Sequence, residues 1–388
     1  MRNKPRIRFK GFTEDWEQRK LISLYRTIRN AFVGTATPYY TNDSINGYFY
    51  LESNNVKNGG INRNNEIYIT KDFYEKQKDK WLYKDDIVIV QSGHVGHTAV
   101  IPKELDKTAA HALIMLQNKK ENFDSHFINN SFQTPVIRNK IDEITTGNTI
   151  KHILASDVKN IVINIPSFKE QKLISQLFRL LDLNITLHQR KLEKLKLAKK
   201  ALLQKLFPKN GSKFPELRFK GFADAWEQRK LSDILKVNSG KDYKHLDQGN
   251  IPVYGTGGYM LSVNESLSNI DAIGIGRKGT IDKPQYLKAP FWTVDTLFYL
   301  NALDHHSILF LYYLIQLIPW KKYDESTGVP SLSKTTIDNI SGYVPLNSKE
   351  EELISTLFNQ LDKSITLHQR KLDKLQEVKK GLLQKMFV

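Results

Sequence analysis

The chain has 388 residues, of which 40% are hydrophobic, and carries 58 lysines and arginines against 41 aspartates and glutamates. This size and composition predict a soluble protein with cores for two or three domains, and the formal charge of +17 favours a polyanionic partner. The absence of cysteine excludes disulfides, cysteine nucleophiles and Cys-ligated metal sites, and it predicts a cytoplasmic location. No secretory signal follows the basic N terminus, and the longest apolar run, Ile308 to Ile318, is too short to span a bilayer.

Two segments of the sequence occur twice. The six residues from Leu187 to Leu192 return unchanged from Leu367 to Leu372, inside longer similar stretches. A second repeat, which contains the sequence WEQRKL, lies at residues 8–21 and again at residues 218–231, and we call these two stretches the Trp segments. Internal copies of this kind indicate a duplicated architecture. Each half therefore has the order Trp segment, variable body, long helix.

The first Trp segment mixes aromatic and charged residues over a short length. Phe9, Phe12 and Trp16 are its aromatic residues, and we expect them to be buried against another part of the chain. The first body, Tyr25 to Ile165, alternates Asn/Gly turns with β-rich runs such as Ile87 to Val90. This pattern predicts a mixed, strand-rich domain.

A long helix is predicted after each body. Ser167 and Glu170 fit the S-x-x-E capping box at the start of the first helix, and Ser348 with Glu351 fits the same box in the second half. At about 1.5 Å per residue, each helix of roughly 40 residues would be about 60 Å long.

Both helices have apolar residues at alternating steps of four and three, which is the spacing of a left-handed coiled-coil seam. The seam of the first helix comprises Leu181, Ile185, His188, Leu192, Leu195, Lys199, Leu202 and Leu206. The seam of the second comprises Leu361, Ile365, His368, Leu372, Leu375, Lys379, Leu382 and Met386. Because neither stripe is stable alone in water, we expect the helices to pack antiparallel about an approximate two-fold axis. His188 and His368 are predicted to approach each other there; the alternative is that they only set the helix register.

The two bodies differ most before a glycine-containing turn. The Trp segments are 210 residues apart and the helices 180 apart, so the second body is shorter by 30 residues. Gly93 aligns with Gly279 at an offset of 186, whereas Thr146-Gly147 and Thr327-Gly328 are 181 apart. Most of the length difference therefore precedes the turn, as expected if that part varies with what each body recognises.

Polar and basic residues lie at or just after predicted strand ends, where a turn can present donors to DNA base edges. The candidates in the first body are Gln91, Ser92, His94, His97, Lys151 and His152. The candidates in the second body are Lys241, Arg277, Lys278, Thr280, Ser331 and Lys334. The alternative for each is a solvated surface turn, because phosphate and solvent contacts outnumber base contacts.

Catalytic motifs are missing from the sequence. Gly274 to Gly279 matches G-x-G-x-x-G but lacks the following helix of a dinucleotide site, so we interpret it as a basic turn at a strand end. Asp304-His305-His306 is interpreted as a polar helix start, because adjacent side chains point in different directions. The chain contains no Walker lysine motif, no H-E-x-x-H, no G-x-S-x-G and no Asn/Asp-Pro-Pro-Tyr sequence. We therefore predict no catalytic residue and no metal site.

The order of these motifs, found twice, resembles the specificity (S) subunit of type I restriction-modification systems over essentially the whole chain. The motifs are the WEQRKL sequence of the Trp segments, the turns that contain Gly93 and Gly279, the two Thr-Gly pairs, and the similar ends of the two helices. The family pattern has a glycine where Asp282 stands, so the second turn is expected to differ in conformation.

The resemblance implies an α+β fold with two tandem mixed α/β target recognition domains, separated by two long antiparallel coiled-coil helices with pseudo-two-fold symmetry. It also implies that the N-terminal segment closes against the C-terminal helix. The expected domains are an N-terminal conserved segment (1–21), target recognition domain 1 (22–165), a central conserved helix (166–207), a linker with the second Trp segment (208–231), target recognition domain 2 (232–344) and a C-terminal conserved helix (345–388).

The resemblance further implies that this chain is not itself an enzyme. Each recognition domain would recognise one half of a bipartite site in double-stranded DNA, while the helices set the gap and bind two modification (methyltransferase) subunits. S-adenosylmethionine, ATP and Mg would be used by those subunits and by the restriction (translocase and nuclease) subunits, with no cofactor in this chain and no membrane partner. The alternatives are a self-contained DNA-modifying or DNA-cleaving enzyme, and a coiled-coil adaptor that does not recognise DNA.

Overall fold

A computed structural model describes residues 4–209 and 211–388, so residues 1–3 of the predicted N-terminal segment and Asn210 of the predicted linker lie outside the described residues. The chain divides into two units. The first unit is Met1–His188 together with Lys371–Val388, and the second is Gln189–Arg370. Both boundaries fall inside long helices, so each unit contains the beginning of one long helix and the end of the other.

The first half of the chain is strand-rich, as predicted. Its strands are β1 (Glu17–Lys20), β2 (Tyr25–Asn30), β3 (Tyr40–Thr41), β4 (Tyr48–Leu51), β5 (Val56–Lys57), β6 (Gly60–Ile61), β7 (Ile67–Ile69), β8 (Ile87–Val90), β9 (Thr98–Val100), β10 (Ala109–Ala110), β11 (Leu113–Lys119) and β12 (Val162–Ile165). Its helices are α1 (Leu21–Leu24), α2 (Lys71–Lys76), α3 (Ser125–Ser131), α4 (Pro135–Ile144), α5 (Ala155–Val158) and α6 (Phe168–Lys205). Short 3-10 helices lie at Thr37–Tyr39, Ser53–Asn55, Lys78–Lys80 and Lys103–Leu105.

The second half repeats this plan with fewer strands. They are β13 (Glu227–Lys230), β14 (Leu235–Ser239), β15 (Gln248–Gly255), β16 (Gly258–Val263), β17 (Ala272–Gly276), β18 (Gln285–Leu287), β19 (Trp292–Thr293), β20 (Leu297–Ala302) and β21 (Ser341–Val344). The helices are α7 (Leu231–Ile234), α8 (Ile308–Ile315), α9 (Lys334–Asn339) and α10 (Ser348–Lys385), and a 3-10 helix lies at Trp320–Tyr323.

A four-stranded antiparallel sheet is the scaffold of each body. Its strand order is β2-β11-β8-β9 in the first unit and β14-β20-β17-β18 in the second. The first body inserts β3 to β7 and α2 between β2 and β8, where the second body has only the β15–β16 hairpin between β14 and β17. This confirms that the bodies share a scaffold and diverge before the glycine turn.

The first Trp segment is anchored in the core of its own unit. Trp16 is 2% exposed and packs edge-on against Phe127 and Phe387, at centroid distances of 5.6 and 6.1 Å. The backbone N–H of Ile7 donates to the carbonyl of Lys385 at 3.0 Å. The N-terminal segment therefore contacts the end of the C-terminal helix, as expected.

The second Trp segment is anchored in the same way. Trp226 is 1% exposed and packs edge-on against Phe207 and Phe310, each at 5.8 Å. The N–H of Leu217 donates to the carbonyl of Lys205 at 2.9 Å, which repeats the bond between Ile7 and Lys385. Both tryptophans are buried as expected, whereas the phenylalanines of the two segments are only half-buried.

The first long helix begins directly after Ser167, as predicted, but the capping box is wrong because Glu170 has a more distant partner. The carboxylate of Glu170 accepts two hydrogen bonds from the Arg8 guanidinium, at 2.7 and 2.8 Å. Arg218 and Glu350 form the same pair at the same distances. Buried carboxylates need such charged donors, which outweigh a local backbone N–H.

The second long helix begins differently from the prediction. Ser348 lies inside α10, and the side chain of Asn347 accepts a hydrogen bond from the N–H of Lys349 at 3.0 Å. The carboxylate of Glu351 is bonded to His306 at 2.7 Å and to the N–H of Ser307 at 2.9 Å. Ser348 and Glu351 therefore do not form the predicted box.

The long helices α6 and α10 have 38 residues each and run antiparallel within each unit. In the first unit, Phe178 lies 5.8 Å from Phe387 between ring centroids, and Asp182 accepts a hydrogen bond from Lys379 at 2.6 Å. From the first contact to the second, the residue number increases along α6 and decreases along α10, so the two helices run in opposite directions.

The second unit contains the equivalent pairs. Phe207 lies 6.3 Å from Phe358, and the Lys199 ammonium donates to both oxygens of Asp362, at 2.6 and 2.8 Å. All of the predicted seam residues are buried or half-buried, so the predicted stripe faces inward. The predicted approach of His188 to His368 joins residues of different units and stays a prediction.

Replacing Arg8 with methionine is expected to lower the free energy of unfolding by roughly 3 kcal/mol, because it leaves the carboxylate of Glu170 buried without its cation. Adding Glu170→Gln should recover part of the loss. Urea-induced unfolding measures both changes, and Arg6→Met at an exposed position is the control. An equal loss in the control would contradict this role of the buried pair.

The ion pair of Glu52 and His111 in the first body should make stability depend on pH. Their ion pair, 3.4 Å between Nδ1 and Oε1, raises the pKa of His111 and lowers the pKa of Glu52. The contribution of His111 to the free energy of unfolding is complete below its unfolded pKa of about 6.5, and it is lost as pH rises through the raised pKa of the folded state. The contribution of Glu52 is complete above about pH 4.3 and is lost as pH falls through the lowered value.

The difference in melting temperature between the wild-type chain and His111→Gln should therefore be largest between about pH 4.3 and pH 6.5. It should shrink at higher pH. A difference that grows with rising pH would contradict the assignment.

Candidate nucleic-acid interface

The candidates of the first body come together at one end of its main sheet. The turn Gln91 to His97 follows β8, and residues 151–153 lie beside it. The N–H of Gly93 donates to the carbonyl of Lys151, and the N–H of Ile153 donates to the carbonyl of Gln91, both at 3.0 Å. Ser92 and His152 face each other in the resulting bridge, so residues separated by about 60 positions form one surface.

The candidates of the second body are joined by the same two hydrogen bonds. The N–H of Gly279 donates to the carbonyl of Pro330 at 2.8 Å, and the N–H of Leu332 donates to the carbonyl of Arg277 at 2.9 Å. Gly93 and Gly279 both have left-handed backbones, with φ of 81° and 99°, which glycine adopts without strain. The predicted alignment of these two glycines is confirmed.

The remaining candidates of the second body lie around this turn. Lys278 and Ser331 form an isolated antiparallel β-bridge. Thr280 follows Gly279, and Lys334 is the first residue of α9. Lys241 lies just after β14 at the same end of the sheet. The N–H of Gly240 donates to the carbonyl of Leu297 and the N–H of Arg277 donates to that of Thr296, the residue next to it. The structure therefore brings all the candidates of each body to one sheet end.

Most of the cationic candidates are exposed. These are Lys151, Lys241, Arg277, Lys278 and Lys334, together with His152. The guanidinium of Arg277 lies 5.7 Å from the centroid of the Phe298 ring, a cation–π distance that restricts the arginine. Gln91, Ser92, Thr280 and Ser331 are half-buried. Exposed cations on backbone-fixed turns suit contacts to phosphates and base edges.

His94 and His97 are held by protein partners. The Nε2 of His94 donates to the carbonyl of Ser53 at 2.8 Å and approaches that of Val56 at 3.3 Å. The Nδ1 of His97 accepts the N–H of Asn58 at 3.2 Å. Burial lowers the pKa of His97, which favours the neutral ring that this accepted bond requires. Both rings hold the chain segment that contains the β5–β6 hairpin.

The turn of the second body differs at Asp282, as expected. Gly96, its counterpart at the offset of 186, has a left-handed φ of 80°, and Asp282 does not. The Asp282 carboxylate instead pairs with Lys321 at 3.0 Å. The backbone of the second turn therefore has a different conformation after Gly279 from that of the first turn after Gly93.

Two motifs have the local structure that was expected from the sequence. Gly274 and Gly276 lie on β17, and the chain continues through a turn to strand β18 instead of a helix. Ser307 caps α8 by accepting the N–H of Phe310 at 3.3 Å, and His306 bonds to Glu351. Within residues 4–209 and 211–388, acidic and histidine side chains form no cluster of three suited to a metal ion. None of the helices in these ranges is both long and apolar enough to cross a membrane.

Sequence reasoning identified Asn58-Gly59-Gly60 as a turn, but it did not predict that a hairpin lies beside the glycine turn of each body. The Asn58-Gly59 pair is a strong hairpin signal, and Gly257-Gly258 marks a turn in the second body. Their position beside the candidate residues depends on contacts between distant residues, which a local pattern does not contain.

Arg277→Ala is expected to weaken DNA binding and to reduce the slope of log K against log salt concentration by about 0.9, the value for one lost phosphate contact. Binding titrations over a range of salt concentrations measure the slope. Lys288→Ala removes an exposed cation beyond the far end of β17 and should leave the slope unchanged. Equal slopes for Arg277→Ala and the wild-type chain would contradict a phosphate contact.

Comparisons with known proteins agree with the duplicated architecture. The family model described as "Type I restriction modification DNA specificity domain" matches residues 13–197 and 223–377. The chain is 22% identical over 238 residues to the specificity subunit of the type I restriction enzyme MjaVIII from Methanocaldococcus jannaschii, covering 60% of this chain and 52% of that protein. It is 21% identical over 173 residues to the EcoBI specificity subunit from Escherichia coli, covering 44% and 36% respectively. The matches thus span about half or less of these relatives.

A solved structure shares the fold over almost the whole chain. The crystal structure of the S subunit of a type I restriction-modification system from M. genitalium superposes with a TM-score of 0.75 at 18% identity, covering 99% of both chains. The mixed helix and strand architecture with two tandem domains is therefore that of a known fold.

Proposed function

This chain belongs to the type I restriction modification DNA specificity domain family, and we propose that it is the DNA-specificity subunit of a type I restriction-modification complex. Each body would recognise one half of a bipartite site in double-stranded DNA. The chain would direct the chemistry of its partners and perform none itself, in the cytoplasm where the DNA lies.

The observation that carries this proposal is the repeated turn. In both units a left-handed glycine at the end of a central strand is bonded by the same two hydrogen bonds to a second segment, and exposed cations surround it. Two copies of one scaffold that carry different side chains are suited to the recognition of two different DNA sequences. Lysines and arginines would neutralise phosphates and release counterions, and the polar candidates would contact base edges.

We propose recognition domains at residues 22–165 and 232–344, with conserved segments at 1–21, 166–207, 208–231 and 345–388. The long helices would form a coiled coil, with His188 and His368 near its approximate two-fold axis. The antiparallel pairs of Asp182 with Lys379 and of Lys199 with Asp362 support this. Because a straight helix has a fixed rise per residue, its length would set the unrecognised gap between half-sites.

The helices would also bind two modification subunits, to which restriction subunits are added. In this scheme the modification subunits use S-adenosylmethionine to methylate DNA, and the restriction subunits use ATP and Mg. The roles assigned to this chain are binding, spacing and orientation. Its net charge of +17 suits a partner as acidic as DNA.

The function is tested by mapping methylated bases in DNA from cells that express this chain with a candidate modification subunit. Cells with the modification subunit alone are the control. New methylation confined to two short half-sites with a fixed gap is expected. Methylation by the purified chain alone, or DNA cleavage by it with Mg, would favour the enzyme alternative. Co-purification with the modification subunit without any new motif would favour the adaptor.

Inserting four residues, about one helical turn, at equivalent points within 191–200 and 371–380 should lengthen the methylated gap and leave both half-sites unchanged. Lengthening both helices by the same number of residues keeps the outer pairs, Asp182 with Lys379 and Lys199 with Asp362, in step. An insertion after Gly211, in the linker, is the control and should leave the gap as it is. A changed half-site with an unchanged gap would contradict the role of the helices as a spacer.

A further inference from the structure

The β5–β6 hairpin of the first unit has a tightly defined tip. Asn58 and Gly59, its two central residues, both have left-handed backbones, with φ of 53° and 86°. This is the conformation of a two-residue type I′ turn, for which Asn-Gly is the preferred sequence. Lys57 and Asn58 are exposed at the tip.

Side chains of the surrounding body fix this hairpin beside the glycine turn. His94 donates to the carbonyl of Ser53 just before β5, and His97 accepts the N–H of Asn58. From the other side, the amide of Asn129 donates to the carbonyl of Gly59 at 2.8 Å. The backbone of the tip is thus held by both His97 and Asn129, while Asn58 is exposed to solvent.

The second unit places a different hairpin at the same turn. The amide of Gln285 donates to the carbonyls of Gly255 and Thr256, at 2.9 and 3.2 Å, at the tip between β15 and β16. Gln285 pairs with Gly274 on β17, the strand that leads into the turn. A Cβ atom placed on Gly279 would lie 3.6 Å from the Thr256 hydroxyl. The hairpin tip therefore touches the glycine turn.

The second hairpin also exposes side chains near its tip. Tyr259 is 63% exposed and Met260 is 49% exposed. Both belong to β16, directly after the turn. Large exposed side chains on a fixed backbone are suited to contact with a partner, because the backbone has little conformational freedom left to lose on binding.

Three features shared by the hairpins point to base recognition. Each lies between the first and second scaffold strands of its body, where the two halves diverge most. Each is fixed by a side-chain donor of the body to carbonyls next to the tip. Each meets the turn where the exposed cations converge. A two-stranded ribbon fits the major groove, and asparagine can form two hydrogen bonds with adenine.

Resting on the proposed function, we propose that these two hairpins are the base-reading elements, with Asn58 specifying bases of one half-site and Tyr259 bases of the other. His94 and Gln285 are positioning residues, which act by holding the tips beside the glycine turns. The exposed cations of the turns then supply phosphate contacts that do not depend on sequence.

The test compares methylation of DNA duplexes that carry each single base change in the mapped site, using the chain assembled with its modification subunit. Asn58→Gly keeps the left-handed turn and removes the side chain. It should reduce the preference for the correct base at one or two positions of one half-site by about tenfold or more. Tyr259→Ala should do the same in the other half-site only.

Each variant has a matched control. Asn118 is also a left-handed asparagine, with φ of 56°, and lies at the opposite end of β11 from the turn. Ile270 is 68% exposed and precedes β17 at its far end. Asn118→Gly and Ile270→Ala should leave the preference at every position unchanged. Melting temperatures show whether each variant is folded.

The positioning role has its own readout. His94→Ala should relax base preference in the half-site that Asn58 affects, while total binding at low salt falls less. His94→Gln supplies an amide that can still donate to Ser53 and should restore the preference. Gln285→Glu removes the donor, so it should relax the half-site that Tyr259 affects.

The outcomes separate the inference from the proposed function. A wild-type bipartite motif with full preference retained in folded Asn58→Gly and Tyr259→Ala would overturn the hairpin assignment and leave the specificity function standing. Asn58→Asp, which keeps the turn and adds a negative charge, is the second variant if Asn58→Gly is unstable, and unchanged preference there would overturn it equally. Absence of any wild-type motif would overturn both.

Discussion

In each unit, the beginning of one long helix and the end of the other share a single hydrophobic core. Phe178 and Phe387 meet in the first unit, and Phe358 and Phe207 meet in the second. A helix with an apolar stripe is unstable in water, so neither core can be completed without both helices. The strand-rich bodies, the Trp segments and the glycine turns are all attached to these two cores.

Polar contacts fix the register that the apolar contacts leave open. Lys199 and Lys379 occupy seam positions and are paired with Asp362 and Asp182, and polar groups at such positions favour one alignment over others at some cost in stability. Arg8 and Arg218 fix the Trp segments to the helix starts through buried carboxylates. Because the same contacts occur twice, the scaffold could duplicate while the recognition segments diverged.

Much of this architecture could be predicted because its signals are local or repeated. The stepping of apolar residues defines the long helices, and the two offsets locate where the bodies diverge. The burial of Trp16 and Trp226 follows from aromatic residues repeated with identical neighbours. Glycines 93 and 279 could be aligned from sequence because a left-handed turn requires them.

The rest depends on partners that are distant along the chain. Glu170 matches a local capping pattern, but its carboxylate is bound by Arg8, 162 positions away. His94 and His97 have the composition of DNA contacts, yet their rings hold Ser53 and Asn58. A single sequence shows which side-chain types are present but not which of them pair. The residues of the candidate surface could therefore be predicted, whereas the hydrogen bonds that hold it in place could not.

Each body is proposed to recognise its half-site independently of the other, on a duplicated scaffold. The most direct measurement is the methylation map produced by a hybrid chain in which residues 232–344 are replaced by a copy of residues 22–165. Two half-sites with the base sequence of the first, separated by the original gap, are expected. A folded hybrid that assembles with its modification subunit and still methylates the original second half-site would contradict independent recognition.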